Sequence, residues 1–405
     1  MKVTIHPGRA EGIISAPSSK SVAHRLLICA GLSQGVSRIS GLDWNDDIRA
    51  TLDCLKALGV SCAVDGDTVT VTGIDPKNAA PIEPLHCRES GSTLRFLLPL
   101  ALLCGTTVAF AGSETLLKRP MDVYQQLCHN RGFTFACENN YLYVKGNLSG
   151  GNYQIPGNIS SQFISGLLFA LPLTQEDSRI EITTPLESKS YIELTLQALQ
   201  FFGIEAWWEN KKTIRIPGNQ QYRPQDMTVE GDYSGAVFFA ALNVLGSVVD
   251  ITGLNPDSLQ GDRIYADLLP QLCHDRPTID ISNCPDLGPI LFAVAAAKNG
   301  AVFTGTHRLK FKESDRCVAM AQELAAFGTE VHVKKNSVSI IPTAFHRPCR
   351  ILQSHNDHRI VMALAILLTL TGGEIEGAEA VQKSFPDFFS KLQSLGIQVQ
   401  KEDNP

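Results

Sequence analysis

The feature that most restricts this chain is that it repeats itself. An amphipathic helical segment, a glycine and an alternating strand segment recur at "LDCLKALGVSCAV", "VYQQLCHNRGFTFAC", "LTLQALQFFGIEAWW", "MAQELAAFGTEVHV" and "FFSKLQSLGIQVQ". The shared glycines, Gly59, Gly132, Gly203, Gly328 and Gly396, are spaced by about seventy residues except for one gap of nearly double length. Each suits the left-handed position that ends a helix before a strand. In the long gap "YADLLPQLCHDRPTIDI" has the same helix and strand pattern without the glycine and counts as a sixth, degenerate copy. After several copies a second strand follows a polar turn, as in "DGDTVTVTG", "NNYLYVKG", "NKKTIRIPG" and "KNSVSIIP", with period-two alternation.

A second series runs in phase with the first: "SSKSVAHRLLICA", "RESGSTLRFLLPLALL", "ISSQFISGLLFALPL", "GDYSGAVFFAALNVL", "CPDLGPILFAVAAA" and "HNDHRIVMALAILL". These helices are apolar nearly all round, so they belong in a core. Each opens with a polar or charged cluster at the end where unpaired N–H groups and the positive pole of the helix dipole favour anions. Ser, Asn and Asp there suffice as caps. Capping does not account for Lys20, Arg25, Arg95, His358 and Arg359, because a cation at a helix N-terminus opposes the dipole. A bound anion would relieve that conflict. Lys20 and Arg25, five residues apart on a helix, point to different sides and suit two groups rather than one.

Six repeats divide into two sets of three, which predicts an α/β chain of two lobes. The polar stretch "GNQQYRPQDMTVEGD", with Pro224, separates the third and fourth copies, while the strand candidate "EGIISA" lies upstream of the first buried helix and is expected to pair with the distant C-terminal half. The expected lobes are residues 1–14 with 228–405, and 15–227, with a hinge near 14–17 and 224–229.

The bulk numbers limit the function classes. The 405 residues carry a net charge of −6, which argues against a broad nucleic-acid surface. Eleven cysteines are spread singly with no C-x-x-C pair, so reduced thiols in a cytoplasmic protein are expected, not disulfides or zinc. "MKVTIHPGRAEG" has no signal-peptide pattern, and "LRFLLPLALLC" and "IVMALAILLTL" are too short to span a membrane.

Several segments could carry chemistry. In "FKESDRCVAM", Lys312, Glu313 and Arg316 would share one patch if helical, either as a solvated ion-pair network or as part of a site. "SHNDHRIVMA" sets Asn356, Asp357, His358 and Arg359 before an apolar helix, and Arg suits bidentate pairing with carboxylate or phosphate. In "CPDLGPILF", Asp286 is either an N-cap or a carboxylate kept ionised by nearby cations and able to accept a hydroxyl proton. "ETLLKRPM" and "VQKSFPDFF" place Lys118, Arg119 and Lys383 at equivalent points of their repeats, and "NISSQFISG" and "PLESKSYIE" add Ser160, Ser161, Gln162, Ser188 and Tyr191. No P-loop, dinucleotide fingerprint, H-E-x-x-H or G-x-S-x-G motif occurs. A multi-anion site remains, with one or two carboxylates and no sign of a metal or cofactor; its chemistry would rest on proton transfer and charge stabilisation.

The ordered set "SSKSVAHR", "SGSTLR", "KRPM", "SSQF", "ESKSY", "VEGD", "PD", "KESDR", "NDHR" and "KSFPDFF" resembles the motifs of the 5-enolpyruvylshikimate-3-phosphate synthase family over almost the whole chain. The resemblance implies six βαβαββ units, three per lobe, with buried helices pointing at an interlobe cleft. It implies transfer of the enolpyruvyl group of phosphoenolpyruvate to shikimate 3-phosphate, through a tetrahedral intermediate, in aromatic amino-acid biosynthesis by a monomeric transferase without a cofactor. Carried over by position, Lys20 would bridge both substrates, and Ser21 and Arg25 would hold shikimate. Ser160, Ser161 and Ser188 would hold the phosphate of shikimate 3-phosphate, with Gln162 between the substrates and Tyr191 nearby. Gly91, Arg119, Arg316, Arg359 and Lys383 would bind phosphoenolpyruvate. Asp286 would take the hydroxyl proton, Glu313 would handle the methylene proton, Lys312 would assist both and His358 would support them from behind. Glu89 and Arg308 stand where the family often has Asn.

Three competing readings make different demands on the sequence. The related transferase acting on UDP-N-acetylglucosamine would need Lys-Asn where this chain has Lys20-Ser21. A non-catalytic anion-binding protein of the same fold would be expected to lack Lys20, Asp286, Glu313 or Arg359, all of which are present. A purely structural repeat protein would have polar helix starts that act only as caps, whereas here the cations differ between copies.

Overall fold

A parallel strand pair needs a crossover, and in this chain the buried helix supplies it. The computed structural model describes residues 1–274 and 276–402, and the third repeat shows the unit in full. Strand Gly151–Ile155 runs parallel to Ser178–Ile182, which pairs antiparallel with Thr213–Ile216, itself antiparallel to Trp207–Asn210. Helix Ser161–Ala170 joins the first two strands, and the amphipathic helix Lys189–Phe201 leads into the hairpin. The same spatial order recurs in the sheets built around Val108–Ala111 and Ala301–Thr304. The five glycines that end the amphipathic helices all have φ between +68° and +103°, the region an L side chain avoids.

The described chain forms two compact units, Lys20–Glu230 and Met1–Ser19 with Gly231 onward. The first contains buried helices α1 (Lys20–Leu32), α2 (Gly91–Ala101) and α3 (Ser161–Ala170); the second contains α4 (Tyr233–Val244), α5 (Gly288–Ala297) and α6 (His358–Thr371). Every α5 residue from Gly288 to Ala296 is buried, as an all-round apolar sequence requires. At about 1.5–3 kcal/mol for each buried Leu, Ile, Val or Phe, these helices are the main source of each unit's cohesion.

The chain crosses between units at two places, each just after a long-range strand pairing within one unit. Glu11–Ser15, which precedes α1, pairs in parallel with Val248–Thr252 of its own unit, in the distant C-terminal half as expected for "EGIISA". Met227–Thr228, which precedes α4, pairs in parallel with Val36–Ser40. Because Ser15 is still in register with Thr252 and Thr228 with Ser40, the unit boundaries fall at Ser19/Lys20 and Glu230/Gly231, slightly beyond 14/15 and 227/228.

The fourth repeat is abbreviated. Its helix Tyr265–Gln271 is followed by Thr278–Asp280, which pairs with Ala301–Thr304 of the next sheet instead of returning to Val248–Thr252. The "TIDI" of the degenerate copy therefore opens the following repeat; among the described residues no second strand stands there to form a hairpin, and Asp275 within that copy lies outside them. The sixth repeat is completed from the other end of the chain. Lys2–Ile5 lies between Gly373–Glu376 and Val399–Glu402, antiparallel to both.

Val3 in that central strand is fully buried. Val3→Asp places a carboxylate there without a partner and is expected to cost about 3 kcal/mol. Urea unfolding with a midpoint equal to the parent's would contradict this placement.

Candidate active site

In the unit Lys20–Glu230 the N-terminal ends of the buried helices are joined through their side chains. Lys20 opens α1, and its Nζ lies 2.8 Å from Asp47 Oδ2 on helix Asp46–Ala57. Arg25 turns the other way. Its Nε donates to Thr195 Oγ1 at 2.9 Å and its Nη2 to the Tyr191 carbonyl at 2.8 Å, both on helix Lys189–Phe201, while Nη1 donates to the Ser21 carbonyl at 2.6 Å. The five-residue spacing thus separates the two cations. The Phe96 ring of α2 lies 5.2 Å from the Arg25 guanidinium, and burial lowers the Arg25 pKa to about 10, which leaves it charged at neutral pH.

At the head of α2, Ser90 caps the helix by accepting from Thr93 N. Gly91 matters for its missing side chain: a Cβ there would lie 2.9 Å from Arg119 Nη1 and 3.2 Å from Arg95 Nη1. Two guanidinium groups therefore converge on one helix N-terminus, an arrangement suited to a phosphate or carboxylate. Arg95 Nη1 also donates to Gln162 Oε1 at 2.8 Å, which joins α2 to the head of α3. There Ser160 caps by accepting from Gln162 N, and Ser161 is buried. Ser188 precedes helix Lys189–Phe201 with φ 55° and ψ 44°, a left-handed conformation that costs a non-glycine residue energy and clusters at binding sites.

The other unit gathers the carboxylates. Asp286 lies in the turn Pro285–Leu287 that leads into α5. Its Oδ1 receives Arg316 Nη1 at 2.8 Å and Lys312 Nζ at 3.0 Å; its Oδ2 receives Arg359 Nη2 at 3.3 Å. Arg359, in the first turn of α6, also donates through Nη2 to Ser234 Oγ at 3.0 Å and through Nη1 to the Asp286 and Ser234 carbonyls at 3.1 and 3.3 Å. One guanidinium thereby ties the heads of α4, α5 and α6.

Arg316 is fully buried and engages two more carboxylates: Nε donates to Asp357 Oδ2 at 2.8 Å and Nη2 to Glu313 Oε2 at 2.7 Å. The helix carrying Arg316 begins at that residue, capped by Asp315, so Lys312 and Glu313 lie in the bend before it. The helical spacing expected for "FKESDR" is therefore corrected: the three meet because Arg316 reaches back across the bend, and its buried guanidinium makes the group more than a solvated network. His358 is buried at the start of α6. Lys383 Nζ donates to the Asn356 carbonyl at 2.6 Å. His355 and Asn356 have φ of 50° and 53°, and His355 is tied by Nε2 to the buried carboxylate of Glu323, 2.9 Å away.

Charge sets the protonation of this cluster. Burial alone would raise the Asp286 pKa, but Arg359, Lys312 and Arg316 outweigh it and hold the group well below the usual carboxylate value. Lys312 moves down, through burial first and then the positive charges of Arg316 and Arg308, against the pull of Asp286 and Glu313. Arg308, which is also buried, thus acts on Lys312 through its charge. Arg316 moves up despite burial, because Asp357, Glu313 and Asp286 surround it.

Sequence reasoning did not assign Asp47, Thr195, Ser234 or Glu323, which hold Lys20, Arg25, Arg359 and His355. Each is an ordinary polar residue whose partner lies far away in sequence. Asp357 was visible in "NDHR", but its role as the carboxylate behind Arg316 was not. Among the described residues no group of three or more His, Cys, Asp or Glu could hold a metal ion. No described helix is long and apolar enough to cross a membrane.

The sequence matches the family described as EPSP synthase (3-phosphoshikimate 1-carboxyvinyltransferase) over residues 5–275 and 274–392. A 3-phosphoshikimate 1-carboxyvinyltransferase of Clostridium kluyveri is 40% identical over 419 aligned positions, covering 98% of both chains. One from Clostridium perfringens is 39% identical over 417 positions, again covering 98% of both. Among solved structures, an EPSP synthase from Acinetobacter baumannii superposes with a TM-score of 0.80 at 23% identity, covering 99% of this chain and 100% of that one. The enolpyruvyl transferase NikO from Streptomyces tendae superposes at 0.79 and 17% identity, covering 100% and 99%. These two carry the fold, whereas the sequence match and the nearly full-length relatives carry the family: the chain belongs to the EPSP synthase family.

Proposed function

We propose that the chain transfers the enolpyruvyl group of phosphoenolpyruvate to a hydroxyl of shikimate 3-phosphate, giving 5-enolpyruvylshikimate 3-phosphate and phosphate. Family membership supports the reaction. The observation that carries it is the cluster in which Arg316 is shared by Asp286 and Glu313, because the reaction needs two carboxylates with different tasks, held near cations.

The chemistry runs in two stages. Glu313, in its protonated form with Arg316 Nη2 still donating to Oε2, gives a proton to the methylene carbon of phosphoenolpyruvate, and the positive charge that develops on the neighbouring carbon is met by the substrate hydroxyl, whose proton passes to Asp286. The tetrahedral adduct then loses phosphate as its C–O bond breaks, the leaving phosphate takes up the proton held by Asp286, and the methyl group returns a proton to Glu313 to restore the double bond. Lys312 stabilises charge beside Asp286, and His358 supports the head of α6. Arg316, Arg359 and Lys383 bind phosphoenolpyruvate together with Gly91 and Arg119. Lys20, Ser21, Arg25, Ser160, Ser161, Gln162, Ser188 and Tyr191 bind shikimate 3-phosphate, with Lys20 and Gln162 common to both substrates. The eleven free thiols fit a reducing cytoplasm.

Phosphate release from phosphoenolpyruvate is expected only when shikimate 3-phosphate is also present. Release that follows UDP-N-acetylglucosamine instead would reassign the acceptor, and no release with either would remove the proposal. Asp286→Asn is expected to lower kcat by about 10² to 10⁴, the range for a positioned acid or base.

The pH dependence has a definite sign. Lys312 acts as a cation, and its pKa lies below 10.5, so its charge is lost at a lower pH than for a free lysine as the pH rises. The alkaline limb of kcat/KM is expected below pH 10.5 in the parent and at higher pH in Lys312→Arg, whose charge persists. An unmoved limb would show that another group titrates there.

A further inference from the structure

His24 lies between Lys20 and Arg25 on α1 and has no role in the chemistry above, yet it is the centre of a closed ring of hydrogen bonds. Its Nδ1 is 2.7 Å from Thr51 Oγ1; Thr51 Oγ1 is 2.7 Å from Thr93 Oγ1; Thr93 Oγ1 donates to Ser90 Oγ at 2.7 Å; Ser90 Oγ is 3.1 Å from Ser92 Oγ; and Ser92 Oγ is 3.1 Å from His24 Nε2. His24, Thr51, Thr93 and Ser90 are all buried.

Proton counting fixes the ring's direction. Its five bonds take five protons; four hydroxyls supply one each, and a neutral imidazole supplies the fifth. Since Thr93 donates to Ser90, Ser90 donates to Ser92, Ser92 to Nε2, Nδ1–H to Thr51, and Thr51 to Thr93. An imidazolium would bring a second donor at Nε2 and turn the Ser92 hydroxyl toward Ser90, whose Oγ already accepts from Thr93 N and Thr93 Oγ1 and has no third lone pair to offer. Burial, Lys20 and Arg25 all act against that charge and hold the pKa well below the ordinary histidine value. The packed helices bring the hydroxyls of Thr51 and Ser92 and the edge of Phe96.

The ring connects three elements: α1, with Lys20 and Arg25; helix Asp46–Ala57, whose Asp47 holds Lys20; and the head of α2, with Gly91 between two ring serines. We propose that His24 is a positioning residue which, through this one-way ring, sets the α2 N-terminus and its phosphoenolpyruvate-binding Gly91 against Lys20. The proposal rests on the assignment of Gly91 and Lys20 made above.

Two measurements test it. By ¹⁵N NMR, with His24 among the 10 histidines identified from the His24→Asn spectrum, the parent is expected to show a neutral Nδ1–H tautomer at pH 7. An imidazolium or an Nε2–H tautomer would overturn the ring whether or not the reaction is as proposed. Kinetically, Thr51→Val keeps its shape, touches no proposed substrate residue and breaks the ring. It is expected to raise KM for phosphoenolpyruvate by about tenfold, the effect of one lost buried hydrogen bond, with far less change for shikimate 3-phosphate. His24→Leu should do the same. His24→Asn, able to donate to Thr51 and accept from Ser92, should recover most of the loss. Equal KM values in parent and Thr51→Val, or an Asn variant no better than Leu, would overturn the positioning role. Should His24→Leu fail to fold, the tautomer and Thr51→Val decide the matter.

Discussion

Three helix N-termini, each carrying the positive pole of a dipole, meet in each unit, and bringing like ends together is unfavourable unless negative charge is supplied. The two units answer differently. In the unit with α4, α5 and α6, the chain supplies the charge itself: Asp286 binds Lys312, Arg316 and Arg359, and Asp357 and Glu313 share the Arg316 guanidinium. In the unit with α1, α2 and α3, Asp47 meets Lys20, but Arg25 is held by neutral oxygens and Arg95 and Arg119 converge on Gly91. The first pattern suits groups that exchange protons, the second groups that receive anions. This contrast comes from one repeated helix being given different capping residues.

Much of the fold was legible because its signals are local. A glycine that must adopt positive φ announces the end of a helix, and an apolar helix beginning with Ser, Asp or Asn announces where its head lies. The long-range strand pairing was half legible. "EGIISA" reads as a strand, but its partner Val248–Thr252 is set by chain topology, since the adjacent helix α1 lies in the other unit. The sheet that takes "TIDI" of the fourth repeat was not legible, because the segment has strand composition whichever sheet it joins.

Within the candidate site, the residues nearest the chemistry lie in dense motifs and could be named, whereas their supports could not. Glu323 is an unremarked glutamate in an amphipathic helix until the fold brings His355, Arg350 and the Gln353 amide to it. There its carboxylate restrains two successive left-handed residues, His355 and Asn356, just before Asp357. Conformations of that kind persist only where the surroundings over-determine them. A positional argument stops at such residues because their meaning lies in a partner thirty residues away.

A carboxylate as strongly ionised as Asp286 is a weak base, which at first opposes the task assigned to it. The difficulty is resolved by timing. A hydroxyl in water is far too weak an acid to lose its proton to such a group, but once its oxygen begins to bond to a cationic carbon it becomes strongly acidic. A weak base already ionised at the working pH then suffices, and it cannot deprotonate the hydroxyl prematurely. The same cations that depress Asp286 also keep it in place, since breaking a buried ion group by removing one member leaves the rest uncompensated, at a cost of about 3–5 kcal/mol. The low basicity is thus a consequence of the clamp, and the proposed mechanism makes use of it because the proton moves late.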